Sequence, residues 1–227
     1  MDEINKINTN QNVYKPDNID NTSMLPGDLK RSPDESFNST LIFIDEGFLN
    51  KLSKHFGNGK YLKFDKILFA ESLCKKQKLK CKKIFYYTAP PFQCNIPSKQ
   101  EELKKEGHDK FTNKLKEKGV LVREGRCQRL LINNQFEYHQ KAVDILLAID
   151  LMDTPIKYPE IKRIVLISSD SDFVPVIKNL KEKGIKTILY TFYEKKRNTN
   201  FSRSNHLIKS VHKYVLLTKQ DFDFPLT

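Results

Sequence analysis

Nowhere in the 227 residues is there an apolar run long enough to span a bilayer, and the N-terminus is polar and acidic rather than signal-like. No membrane partner is expected, and a reducing cytoplasm is the expected location. Cysteine is scarce: the four residues stand at 74, 81, 94 and 127, with no Cys-x-x-Cys pair and no histidine at zinc-ligand spacing. Neither a disulfide framework nor a zinc site follows from that pattern. Acid is the minority charge, 28 Asp and Glu against 40 Lys and Arg, for a formal net charge of +12.

The charge is unevenly placed. Residues 1–39 hold seven acids and four bases, or −3, which leaves +15 for residues 40–227. A basic body attracts a polyanion through phosphate contacts and counterion release, so nucleic acid is the first partner class to consider and an anionic membrane surface the second. Lysine enrichment also arises from AT-rich genomes with no such role. Hydrophobic residues at 38% and aromatics at 11% suffice for one buried core, and the length allows a single domain of ordinary size with some flank. Residues 1–39 are rich in Asn, Ser, Asp and Pro, and read as a disordered arm. Residues 40–220 form the expected domain and 221–227 a C-terminal tail.

Within the domain, LIFI at 41–44 reads as a buried strand that leaves Asp45 at its C-terminal edge, followed by a helix to Phe56 that stops at Gly57-Asn58-Gly59. A helix over about 64–79, a strand over 83–88, a charged helix over about 99–118 and a strand at 120–124 come next. CQRLLI at 127–132 is expected to pair with that strand across Gly125. Gln140 to Met152 is apolar nearly all round and reads as a buried helix. The clearest unit is strand 163–168, turn SDSD at 169–172, helix 173–183 and strand 185–191, a βαβ crossover. The alternation argues an α/β fold with a mainly parallel central sheet flanked by helices.

In such sheets ligands bind beyond the carboxyl ends of the strands. Asp45 and the pair Asp170 and Asp172 stand at two such ends. Carboxylates gathered there repel one another unless a cation joins them, and oxygen ligands without Cys or His favour Mg²⁺ or Mn²⁺. Each acid also has a plainer reading: Asp172 can serve as a helix cap, and Asp144, three residues after Lys141 on a helix face, can be half of an ion pair. Asp150, six residues further on, rotates away from Asp144 and is expected to be supporting or structural. KKQKLKCKK at 75–83 reads as a solvated face. Arg126, Arg129, Lys196 and Arg197 are the candidate phosphate contacts.

The order FIDEGFL, QKAVDILLAIDLM, VLISSDSDFVPVIKNLKEKGIKTILY resembles the NYN-domain family, the LabA-like branch of the PIN nuclease superfamily, over about Leu41 to Leu217. The resemblance implies a Rossmann-like PIN fold and a metal-dependent endoribonuclease that hydrolyses RNA, with single-stranded RNA the favoured substrate. Asp45, Asp144, Asp170 and Asp172 then correspond to the metal-binding catalytic acids, with Lys141 in support. Two positions depart from the family pattern: Glu46 replaces a glycine after the first Asp, and Ser169 replaces a glycine before the later pair. Glu46 is either an added ligand or a crowding group. A catalytically idle RNA-binding or assembly module is the rival reading, and a homo-oligomer is left open. An aspartyl-phosphate phosphatase wants Asp-x-Asp after the first strand, where this chain has Asp45-Glu46-Gly47.

Overall fold

The structure, a computed structural model, describes residues 39–195, 199 and 201–226. Strands β1 (Ser39–Asp45), β2 (Lys80–Thr88), β3 (Leu121–Glu124), β6 (Arg163–Ile167), β7 (Lys186–Thr191) and β8 (Lys213–Leu216) make one sheet in the order β3-β2-β1-β6-β7-β8. Every neighbouring pair is parallel. The chain winds outward from β1 to β3, then returns to the other side of β1 and winds outward again. Strand order therefore reverses between β1 and β6, and the chain segments leaving those two strands diverge into a crevice.

Parallel strands covered on both faces read as unbroken apolar runs, and β1 is the clearest case. Leu41, Ile42, Phe43 and Ile44 are all fully buried. Leu41 and Phe43 join one core layer, with helices α4 (Val143–Lys157), α5 (Val174–Glu182) and α6 (Asn205–Ser210). Ile42 and Ile44 join the other, with α1 (Glu46–Phe56), α2 (Lys66–Lys76) and α3 (Lys99–Glu117). At about 1.5–3 kcal/mol for each fully buried apolar side chain, β1 is firmly held, and so is the acid at its end. No helix among the described residues is long and apolar enough to cross a membrane.

Four expectations need correction. The strand at 126–132 does not pair with β3: β4 (Arg126–Ile132) forms an antiparallel ribbon with β5 (Gln135–Lys141), apart from the sheet. Asn133 and Asn134 both have positive φ, the turn geometry that joins two strands through two residues. Gln140 and Lys141 are thus strand rather than helix. Helix α4 is not buried all round, since Ile145, Ile149 and Ile156 are exposed on the side away from the sheet. The supposed tail is partly core: Asp221 and Phe222 are buried, and Phe222 packs edge-on against Phe56 and Phe64. The expected arm, apart from Ser39 in β1, lies outside the described residues, as do Lys196 and Arg197.

Candidate active site

Asp45 ends β1 and caps α1, accepting the Phe48 N–H at 3.1 Å through Oδ1. Its other oxygen accepts the Ser168 hydroxyl at 2.9 Å, and that hydroxyl oxygen accepts the Asp170 N–H at 3.1 Å. Ser168 directly follows β6, so one buried hydroxyl ties together the two strand ends where the sheet order reverses. Asp170 in turn accepts the Asp172 N–H at 2.9 Å and caps the short 3₁₀ turn Ser171–Phe173. Phe173, fully buried, anchors that turn in the core and leaves Asp172 exposed. Asp144 lies in the first turn of α4, on the same side of the sheet as α5.

These acids feel one another. Burial pushes the Asp45 carboxyl up to about 6, with Asp144 and Asp170 adding to the rise and its two hydrogen bonds opposing it. Asp144 is also raised, first by desolvation and then by Asp170 and Asp172. Like charges held within reach of each other raise the cost of ionising each one. No three acidic, His or Cys side chains among the described residues converge closely enough to hold a cation as they stand. Asp45 and Asp144 are each raised in part by neighbouring carboxylates, a repulsion that a cation would relieve. The donor set is oxygen alone, which fits a hard divalent ion.

The remaining sequence candidates divide. Glu46 is occupied by β2, accepting hydroxyl hydrogens from Tyr86, at 3.0 Å, and from Thr88. Asp150 lies on the buried face of α4, where it accepts the Tyr87 hydroxyl at 2.9 Å and pairs with Arg123 at 3.1 Å. It is a structural brace between α4 and the β2–β3 edge. Ser169 is half-buried and does not use the left-handed backbone that a glycine would permit, so the replacement brings no strain. Lys141 does not share a helix face with Asp144: it ends β5, opposite the exposed Arg126, and Ala142 between them has φ 67. Arg129 is clamped between aromatic rings of Phe92 and Phe136. The lysines of 75–83 run from the end of α2 into the start of β2, at the sheet end opposite the acids, and Lys76 and Lys82 pair with Asp221 and Glu160.

Two residues near the acids escaped sequence reasoning. Ser168 could have been noted as the strand's last inward position in ISSDSD. Gln140 had no local signal: its Oε1 lies 3.5 Å from where a Cβ on Gly47 would stand, and Asp45 Oδ1 lies 3.2 Å from that same point. Glycine at 47 leaves this space beside the carboxylate open.

Comparison with known proteins gives two findings. A family model described as the NYN domain matches residues 40–216. Among solved structures, a Vibrio parahaemolyticus protein of unknown function is similar in fold, with a TM-score of 0.54 at 15% identity, over 84% of this chain and 98% of that one. No curated protein matches the chain.

Proposed function

The chain belongs to the NYN domain family, whose PIN-like domain is of nuclease type, and from that premise we propose that it is a divalent-metal-dependent endoribonuclease. The observation that supports the reading is the tie of Asp45 to Asp170 through the Ser168 hydroxyl at the reversal point of the sheet, with Asp144 near enough to help raise Asp45 and itself raised in part by Asp170 and Asp172. A fold maintains such a cost where a cation offsets it. Asp45, Asp144, Asp170 and Asp172 would hold Mg²⁺ or Mn²⁺. When bound, the ion supplies a lowered pKa for water and shielding of charge on a phosphate.

The chain's own groups supply the setting. Ser168 fixes the spacing of Asp45 and Asp170 by donating to one and accepting from the other. Gln140 offers its amide oxygen at the open space beside Gly47, where it would accept a hydrogen bond from a substrate hydroxyl. Arg126 and Lys141, exposed and side by side at the root of the ribbon, draw the phosphodiester in. Hydrolysis adds a water oxygen to phosphorus opposite the leaving ribose oxygen, whose bond to phosphorus breaks. The domain boundaries, an arm before β1 and a nuclease body from Ser39 onward, belong to the same proposal.

The test is incubation of the purified chain with labelled single-stranded RNA and DNA in Mn²⁺, Mg²⁺ or EDTA, beside Asp170→Asn. RNA cleavage that needs the metal and falls by orders of magnitude in the variant is expected. Binding without cleavage in every condition would instead support the idle RNA-binding module, and equal cleavage by both proteins would point to a contaminant.

A further inference from the structure

Between β3 and α4 the chain leaves the sheet as the β4–β5 ribbon, in register from Arg126 opposite Lys141 to Ile132 opposite Gln135. Residues opposite one another share a face, so Arg129, Leu131, Phe136, Tyr138 and Gln140 lie on one side. That side is open: Leu131 is 64% exposed, and Phe136 and Tyr138 are each 58% exposed. The Arg129 guanidinium lies 4.5 Å from the Phe136 ring centroid and 4.6 Å from that of Phe92. Phe92 also contacts Tyr138, centroids 5.8 Å apart. A cation locked between two rings stiffens the group and places positive charge within it. At the root of the ribbon the same face ends in Gln140, beside Gly47 and Asp45. Exposed rings and catalytic acids are thus joined by one face, about 13 Å of strand from Phe136 to Gln140.

Exposed aromatic surface of this kind marks a binding site, and charge selects the occupant. On that face Arg129 is the one formal charge, Arg126 and Lys141 stand on the other face at the ribbon's root, and the domain carries a net positive charge. Flat exposed rings around one guanidinium, on a net basic domain, suit nucleobases strung on a phosphate backbone, whereas a duplex keeps its bases stacked inside and offers no free face. We propose that the β4–β5 ribbon is a stacking platform that holds unpaired bases of single-stranded RNA next to the acidic site, so that the substrate is selected for being unpaired there. The proposal takes the acidic site to be the nuclease centre, but binding alone tests it.

The experiment measures affinity of the full chain in EDTA, by fluorescence anisotropy, for a single-stranded RNA of roughly 12 nucleotides. The same RNA as a duplex and the same backbone with abasic sites are run beside it. Two paired variants are compared: Phe136→Leu with Tyr138→Leu, and Phe136→Tyr with Tyr138→Phe. The leucine pair should weaken single-strand binding by about ten-fold or more while leaving duplex and abasic binding unchanged, which also reports that it is folded. The aromatic pair should bind like the wild type. A leucine pair that binds single strands as well as the wild type, or a wild type that does not distinguish abasic from intact RNA, would overturn the platform and leave the patch to a protein partner. Loss of cleavage in Asp170→Asn with normal cutting by the leucine pair sinks only the platform. The reverse pattern sinks only the assignment of the acids as the centre.

Discussion

Asp45→Asn should stabilise the metal-free protein at neutral and alkaline pH and do little at acid pH. The folded carboxyl titrates at about 6 against an ordinary 3.8. The folded state therefore holds the proton more tightly than the unfolded chain. Between these two values folding takes up a proton, so stability is greatest below about 3.8, falls as pH rises, and levels off above about 6. A rise of about two pKa units corresponds to roughly 3 kcal/mol. Asparagine keeps the oxygen that accepts the Phe48 N–H, and its amide can donate to the Ser168 oxygen, so most of the local hydrogen bonding survives. The charge that Asp144 and Asp170 repel is gone. Urea unfolding in EDTA, followed by far-UV circular dichroism at about pH 8 and about pH 4, should show the variant ahead by about 2–3 kcal/mol at the higher pH and nearly level at the lower. Stabilisation by Mg²⁺ or Mn²⁺ should vanish in the variant. A stability difference that does not change with pH, or a variant weaker than the wild type at pH 8, would refute the claim that Asp45 is held against its charge.

Three further outcomes follow from the geometry. Asp150→Ala strips the partner from the buried Tyr87 hydroxyl and from Arg123, and should cost about 2–4 kcal/mol in urea unfolding while leaving metal-induced stabilisation intact. Loss of that stabilisation would make Asp150 a ligand. Gly125→Ala places a Cβ 2.3 Å from the Lys141 carbonyl oxygen and 2.8 Å from Val143 Cγ2, so the root of the ribbon must move. A loss of about 1–3 kcal/mol is expected, and an unchanged melting temperature would show that the ribbon root is not closed as described. Ala142→Gly releases a left-handed alanine and should gain about 0.5–1 kcal/mol, read as a higher melting temperature; a lower one would count against that backbone.

What could be read from sequence was what depends on neighbours in sequence. Leu41 to Ile44 and Ile164 to Ile167 announce buried parallel strands because both their faces are covered, and the acids at their ends follow directly. That β1 and β6 lie side by side is a property of strand order, which no local pattern carries, so Ser168 could be noted at its strand end but its link from Asp45 to Asp170 could not. The segment QFEYHQK at 135–141 was missed because neither face of the ribbon is buried, and its alternation is carried by only two aromatic residues, Phe136 and Tyr138. Asn133-Asn134 was the available turn signal. Lys141 and Asp144 fit a helical spacing, but Gly125 and Ala142 bring the two ends of the ribbon together and start α4 at Val143, two residues past Lys141. The apolar run in α4 concealed which side meets the sheet, and Ile145 and Ile149 fell on the other.

The order of the sheet also bears on self-association. Its outermost strands, β3 and β8, are four residues each, while the nine-residue β2 and seven-residue β1 lie inside. Short borders offer few unpaired amides to template another chain. Among the described residues, the long free ladders belong to the two seven-residue strands of the ribbon instead. At high concentration without ligand, edge-to-edge strand addition should therefore start at the ribbon, and a proline at an outward-facing amide there should suppress it without touching the sheet.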